Sequence, residues 1–336
     1  MSRPTLKIAI PMAGLGTRMR PHTWSKPKPL ISLAGRTVLD YVLDQFQSAP
    51  PDFEVEYIFI VGPQGDQIRE FMDEHHPDKK VHYVVQAEMR GQSDALYLAR
   101  EFLKGPMLMA FSDTLIETDF SFLNSGTLDA MAWVKPVPDP RRFGVAELGE
   151  DGLVRRLIEK PAELTNNLVV VGFYYFRSGE SLIAAIEEQM RRNVMLKNEY
   201  FLADAINILL EQGARMGTSQ VDVWLDAGTP DALLETNRYL LNHGSQNSEA
   251  ATREGVTIIP PVFVHETAKI NASVIGPNVS IGPGCELTRA IISNSIIDEG
   301  SEIQDIVIED SLLGREVSLM GQPLHLNLGD QSWALR

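Results

Sequence analysis

The sequence predicts an α/β protein in two parts: a mostly parallel mixed sheet with helices on both faces, then a short parallel β-helix built from hexapeptide repeats. Three observations carry this expectation. Over residues 1–243, short apolar, β-branched runs alternate with amphipathic stretches of helical spacing, the pattern of strands and crossover helices. Beyond residue 255, aliphatic residues recur every six positions with Gly and Pro at intervals. Residues 244–254, between the two patterns, are polar and almost free of large apolar side chains, and they read as a linker. The expected domains are therefore 1–243 and 255–336.

Taken in order, residues 6–10 form a buried first strand and 38–46 carry helical spacing through Val38, Leu39, Val42, Leu43 and Phe46. Residues 55–61 read as a strand, 68–71 as part of a short helix, 81–85 as a strand, 94–103 as a helix and 107–111 as a strand. The later strands, 130–134, 144–148 and 169–176, lack regular helices between them, so some are expected to run antiparallel. Helices follow at 182–191 and 201–210. A further helix opens near 229, where Thr229 can cap, Pro230 fits the first turn and Asp231 suits the positive end of the dipole. In the tail, Ile258, Val264 and Ile270 are six apart, as are Ile275, Ile281 and Leu287, and then Ile297 and Ile303. Corners fall at Gly276-Pro277 and Gly282-Pro283-Gly284, and about eighteen residues per coil gives three or four coils.

Composition narrows the function. The chain has 336 residues, 44% of them hydrophobic, which is enough for a sizeable core. Its 45 acidic and 30 basic residues leave a formal charge of −15, which disfavours nucleic acid as a partner. An anionic ligand would need local Lys/Arg or a metal cation. The single cysteine, Cys285, allows no intrachain disulfide and argues against a structural zinc site. No run approaches the ~20 apolar residues of a membrane span, and residues 1–10 show no signal-peptide pattern, so a cytoplasmic protein without membrane partners is expected. His75-His76 reads as a solvated helix end, and Arg141-Arg142 and Arg155-Arg156 as surface charge.

The chemistry gathers near the first strand, which runs into Met12-Ala13-Gly14-Leu15-Gly16-Thr17-Arg18-Met19-Arg20-Pro21. A Gly-rich turn at the carboxyl end of a first strand is where open α/β sheets bind phosphate, because glycine lets backbone N–H groups approach oxyanions. Two familiar motifs fail here. The dinucleotide fingerprint needs a small residue where Met19 stands, and the P-loop needs Gly-Lys-Ser/Thr where the chain has Gly16-Thr17-Arg18. Ten residues on, Lys28 is held between Pro27 and Pro29 in what reads as an exposed loop.

Gly14-x-Gly16-Thr17-Arg18-Met19-x-Pro21-x-Thr23 followed by Pro27-Lys28-Pro29-Leu30 resembles the signature of the sugar-1-phosphate nucleotidylyltransferases. These enzymes join a sugar 1-phosphate to a nucleoside triphosphate and release pyrophosphate. The resemblance continues in order through Gln86-x4-Gly91-x2-Asp94-Ala95, Phe111-Ser112-Asp113, Phe143-Gly144-Val145, Glu159-Lys160-Pro161 and Trp224-Leu225-Asp226-Ala227-Gly228-Thr229-Pro230. It implies a Rossmann-like first domain and a left-handed β-helix. Ala13 and Ser112 stand where many members carry glycine, and both replacements are small.

The resemblance also implies roles. Arg18 and Lys28 would be catalytic, and Ala13, Gly14, Gly16, Thr17, Gln86 and Gly91 would bind the nucleotide. Gly144, Glu159, Lys160, Val171 and Gly172 would bind the sugar phosphate, and Asp113 and Asp226 would hold Mg²⁺. The nucleophile is already an anion, so catalysis reduces to positioning and electrostatics. Gln86 carries both donors and an acceptor, so its amide could meet the N3–H and O4 of uracil or thymine together. The expected partners are a nucleoside triphosphate, dTTP or UTP, and a hexose 1-phosphate, glucose 1-phosphate first. The alternatives are mannose 1-phosphate with GTP, or a non-catalytic regulatory subunit on the same scaffold. Exposed coil edges suggest a homo-oligomer.

Overall fold

The computed structural model describes residues 3–124, 127–164 and 166–322. The chain forms two compact units, Met1–Ile31 with Thr37–Ala232, and Ser32–Arg36 with Leu233–Arg336. In chain order the elements up to the tail are β1 (Thr5–Met12), β2 (Ser32–Leu33), β3 (Arg36–Thr37), α1 (Val38–Asp44), β4 (Glu54–Val61), α2 (Gly65–His75), β5 (Val81–Val85), α3 (Gln92–Leu98), β6 (Met107–Ala110), β7 (Thr114–Ile116), β8 (Ala130–Pro136), β9 (Gly144–Leu148), β10 (Val154–Glu159), β11 (Leu168–Phe176), α4 (Gly179–Arg191), α5 (Leu202–Glu211), β12 (Met216–Gln220), β13 (Trp224–Asp226) and α6 (Pro230–Asn242).

The first unit is built on a nine-stranded sheet of order β10-β9-β11-β6-β1-β4-β5, with β8 on β11 and β12 on β8. The ladders β4–β1–β6, β4–β5 and β8–β12 are parallel, and only β10 and β11 run against the rest. Alternate side chains divide the core. Ala9, Ile58, Met109 and Tyr174 share the face packed by Leu96 of α3, Leu182 and Ile186 of α4, and Ile206 of α5. The opposite face carries an aromatic cluster in which Phe46 stacks on Phe120 at 5.7 Å and lies 6.0 Å from Phe173. Burial on both faces explains why β1, β4 and β6 read as continuous apolar runs.

Local chemistry sets the helix boundaries. α1 starts at Val38 because Thr37 and Asp40 form a capping box, Asp40 N–H donating to Thr37 Oγ1 (3.2 Å) and Thr37 N–H to Asp40 Oδ2 (2.8 Å). The helix expected over 94–103 runs instead over Gln92–Leu98, and tighter three-residue turns continue it to Leu103. His75 lies at the exposed end of α2, but His76 does not: its Nε2 lies 2.8 Å from Asp40 Oδ1. No helix among the described residues is long and apolar enough to cross a membrane.

The second unit is a left-handed parallel β-helix of four coils with three faces. One face stacks Thr257–Ile258, Val274–Ile275, Ile291–Ser293 and Val307–Glu309, and two more four-stranded sheets complete the coil. The repeat residues Ile270, Ile275, Ile281, Leu287, Ile297 and Ile303 all point into its core. The coils are shorter than the expected eighteen residues. Lys269 pairs with Glu286, a step of 17 residues, and Glu302 with Ser318, a step of 16. Single left-handed residues turn the corners, including Asn278 (φ 59°), Asn294 (φ 43°) and Asp310 (φ 47°), a backbone that Asn and Asp tolerate.

The division of the chain differs from the expected boundaries in two places. Residues 244–254 are no free linker. The Asn247 side chain brackets Val264, accepting from its N–H (2.8 Å) and donating to its carbonyl (2.8 Å), Ser248 Oγ accepts from Val262 N–H (2.9 Å), and Ala251 is buried in the coil core. A polar composition there serves backbone pairing against the first coil. The unit also takes α6 from Leu233 onward together with the β2–β3 hairpin. Asn237, buried on α6, accepts from Ala34 N–H (2.9 Å) and from Ser280 Oγ (2.7 Å), and Ser32 Oγ donates to Asp298 Oδ1 (2.6 Å).

Candidate active site

A cavity of about 840 Å³ opens in the first unit at the carboxyl ends of β1 and β6, within the usual range for a ligand pocket. Every candidate residue from the sequence lines it. β1 ends at Met12, and Ala13, Gly14, Gly16, Thr17 and Arg18 turn over the strand end into the cavity. The turn is tied by Thr23 Oγ1, which donates to the Gly16 carbonyl at 2.8 Å.

The two candidate metal ligands come together. Asp113 follows β6, and Asp226 ends β13, which pairs antiparallel with β7 and lets Ala227 N–H donate to the Asp113 carbonyl at 2.8 Å. The point where Gly228 would carry a Cβ lies 2.7 Å from Asp226 Oδ1, 3.3 Å from Asp113 Oδ2 and 3.2 Å from Arg18 Nη2. Two carboxylates and a guanidinium thus converge on one spot. Burial, then the neighbouring Asp113 charge, push the Asp226 carboxyl above its usual range, while the Gly228 N–H, Lys28 and Arg18 pull it back. Lys28 departs from the expected exposed loop. It opens a short 3-10 turn, its side chain is only 12% exposed, and its ammonium pairs with Asp113 Oδ2.

Two hard oxygen donors that repel each other suit a divalent cation of the Mg²⁺ type, which commonly takes one or two protein carboxylates and draws the rest from phosphate and water. Among the described residues no group of three or more His, Cys, Asp or Glu could form a fuller protein cage.

Gln86 follows β5 and is buried. Its Nε2 donates to Asp94 Oδ2 (2.9 Å) and to the Gly91 carbonyl (3.2 Å). The expectation that both its donor and its acceptor face the base is therefore corrected, because the amide nitrogen is already occupied. Gly91 has φ 99°, and a Cβ there would fall 2.5 Å from the Tyr200 carbonyl oxygen, so only glycine fits.

At the far wall, β9 and β10 set Gly144 opposite Glu159. Burial raises the Glu159 carboxyl, Lys160 opposes that and Asp204 adds to it. Lys160 has φ 49°, an uncommon backbone for lysine, which turns the chain as β10 ends, and its Nζ lies 5.7 Å from the centre of the Phe201 ring. Val171 and Gly172 sit where the β8–β11 register breaks, and Gly172 (φ 89°) lies where a Cβ would strike Phe111 at 2.3 Å.

Sequence reasoning missed part of this wall. Arg142 lines the cavity rather than merely adding surface charge, whereas Arg141 pairs outward with Asp139 at 2.6 Å and Arg156 with Glu147 at 2.8 Å. Adjacency to Phe143-Gly144 was the available signal for Arg142. Tyr174, Glu199 and Phe201 also line the cavity. Glu199 reaches it through a tight turn with Lys197 and Asn198 in left-handed backbone, which no motif marked.

Comparison with known proteins follows the same division. The family model described as Nucleotidyl transferase matches residues 9–243, and that described as GMPPB C-terminal domain matches residues 258–326. A glucose-1-phosphate thymidylyltransferase of Streptomyces griseus is 29% identical over 98% of this chain and 99% of its own. The low-salt glycan biosynthesis nucleotidyltransferase Agl11 of Haloferax volcanii is 29% identical over 94% of each. Among solved structures, a UDP-glucose pyrophosphorylase from Acinetobacter baumanii superposes with a TM-score of 0.59 at 20% identity, covering 71% of this chain and 95% of that one, and so shares the fold.

Proposed function

The chain belongs to the nucleotidyl transferase family, acting on sugar 1-phosphates, and from that premise we propose that it joins dTTP or UTP to glucose 1-phosphate, giving an NDP-sugar and pyrophosphate. The observation that carries this reading is the meeting of Asp113, Asp226, Arg18 and Lys28 beneath the Gly-rich turn, in one cavity with Glu159 and Lys160. The name of the thymidylyltransferase relative supports the pyrimidine nucleotide and the glucose.

A phosphate oxygen of the sugar 1-phosphate attacks the α-phosphorus, and the bond to the β-phosphate oxygen breaks, releasing pyrophosphate. The attacking oxygen carries no proton, so no general base is needed; the obstacle is the approach of two anions. The backbone N–H groups of the Gly turn and the Arg18 fork hold the triphosphate. Lys28 supplies positive charge at the reacting phosphates, which requires its ammonium to be shared with or drawn from Asp113. Lys160 takes the sugar phosphate, and Glu159 accepts from a sugar hydroxyl. Mg²⁺ bound by Asp113 and Asp226 would supply further neutralisation of the nucleotide phosphates.

The test is pyrophosphate release with each nucleoside triphosphate paired with glucose, N-acetylglucosamine and mannose 1-phosphates. Turnover with dTTP or UTP and glucose 1-phosphate is expected. Failure of every pair would leave only the regulatory alternative, and a clear preference for GTP with mannose 1-phosphate would overturn the substrate assignment.

A further inference from the structure

Granted the nucleotidyl-transfer reading, the geometry points to Asp94 as a positioning residue that sets base choice: by holding the Gln86 amide nitrogen, it leaves Gln86 only an acceptor to offer the base. Gln86 and Asp94 are 4% and 6% exposed. The main chain of Gln86 is anchored to the sheet by its N–H, which donates to the Val61 carbonyl at 2.9 Å. Both hydrogens of Nε2 are taken, one by Asp94 Oδ2 and one by the Gly91 carbonyl. Neither partner can donate. Turning the amide over would set its oxygen against a carboxylate oxygen and a carbonyl oxygen, and two buried hydrogen bonds would be broken. The orientation is thus dictated by chemistry.

The partners themselves are fixed. Asp94 lies in the first turn of α3, with Arg90 Nη1 3.8 Å from its other oxygen. The Gly91 carbonyl also receives Ala95 N–H at 3.2 Å, and Gly91 is pinned against the Tyr200 backbone. Gln86 Oε1 accepts no hydrogen bond among the described residues, and the residue lines the cavity. What the cavity presents at this point is a lone pair.

A lone pair selects bases with an imino N–H. Uracil and thymine offer N3–H, and guanine offers N1–H. Cytosine and adenine carry an acceptor at the corresponding ring nitrogen, so in the same pose two lone pairs would be opposed at Oε1, and only a shifted base could bring the neighbouring amine to it. Nearly isosteric UTP and CTP are therefore the discriminating pair, because size and ribose are common to both.

The test measures kcat/KM for UTP and CTP with a fixed sugar 1-phosphate, for the native protein and for Asp94→Asn. The native protein is expected to prefer UTP by about a hundredfold or more. The carboxamide introduced by Asp94→Asn can either accept from or donate to Gln86, so only the Gly91 carbonyl still opposes a turned amide. The UTP/CTP ratio should fall at least tenfold, through a lower KM for CTP with kcat for UTP nearly kept. A merely structural role would instead weaken all triphosphates alike and leave the ratio standing. An unchanged ratio in an active Asp94→Asn protein overturns the assignment, and so does a native protein that uses CTP as well as UTP. Should Asp94→Asn misfold by circular dichroism, Asp94→Ser is read in the same way, and the native ratio still decides. If no triphosphate turns over with any sugar 1-phosphate, the transfer reading fails separately, and calorimetric binding of UTP against CTP to the native and Asp94→Asn proteins tests the acceptor-only amide by itself.

Discussion

Replacing Asp226 by Asn should make the protein more stable and nearly inactive. The distances from the Gly228 Cβ position place Asp226 Oδ1 and Asp113 Oδ2 no more than about 6 Å apart. Two unit charges at that separation repel by about 3 kcal/mol at an effective dielectric constant near 20. Lys28 and Arg18 offset part of this, leaving a net gain of about 1 kcal/mol for the amide, or roughly 1–2 °C in Tm for a chain of this length. The hydrogen bond from Gly228 N–H to Asp226 Oδ1, 2.8 Å long, survives the change, because a carboxamide oxygen accepts as well. Because the Asp226 carboxyl is raised in the folded chain, its cost to stability is present at neutral pH and disappears as the pH falls below the carboxylate range. The Tm gap between Asp226→Asn and native protein, measured by scanning fluorimetry in EDTA, should therefore close on acidification. Added MgCl₂ should raise the native Tm and leave the Asp226→Asn Tm unmoved, while the mutant loses turnover by ~10²-fold or more. A mutant less stable than native at pH 7, or one that keeps the native response to Mg²⁺, would refute the paired-carboxylate argument.

Three further outcomes follow from the structure. Lys28→Ala should lower kcat by ~10²-fold or more and also cost about 1–3 kcal/mol of stability, since Asp113 loses its ammonium partner; unchanged turnover would remove Lys28 from the reaction. Glu56 is raised by burial, but hydrogen bonds and charge from Lys7 and Lys80 outweigh that and hold it at about 2, so the stability it contributes is present at neutral pH and lost as pH falls from about 4.5 towards 2. Glu56→Gln should accordingly be less stable than native at pH 7 and match it in acid, by denaturant titration at both. A chain ending at residue 249 should aggregate or unfold at lower temperature, because Asn237 and the 32–36 hairpin lose Ser280, Asn278 and Asp298; a monodisperse truncation with native Tm would contradict this.

The first sheet and the coil were legible because their residues face one environment throughout. β1, β4 and β6 are buried on both sides, and Ile275, Ile281 and Leu287 meet the same narrow interior turn after turn. β10 was missed because Val154–Glu159 alternates only weakly, with Arg155 and Arg156 exposed on an edge strand. β12 was missed because Met216–Gln220 is polar along half its length, and its place is set by pairing with β8 rather than by composition. In the site, motif residues near strand ends were visible, since their neighbours fix where they lie. The Gln86 amide orientation was not, because the deciding partner, Asp94, acts through a hydrogen bond eight residues away that carries no periodicity. Lys28 was misjudged for the same reason: its flanking prolines describe the backbone, whereas its burial comes from Asp113, eighty-five positions downstream.

The β2–β3 hairpin also bears on how the protein is made. Ala34 waits for Asn237, 203 residues later, and Ser32 for Asp298, 266 residues later. At roughly 5–20 residues per second, a ribosome delivers the first of these partners about 10–40 s after the hairpin has emerged. Throughout that interval the strands on either side of the hairpin can already settle into their sheet, while the hairpin still lacks Asn237 and Asp298. The tail is therefore no interchangeable cassette. A gene fusion that exchanged the coils at the boundary of the sequence pattern would bring new coils to a hairpin written for the old ones, at the far end of the message.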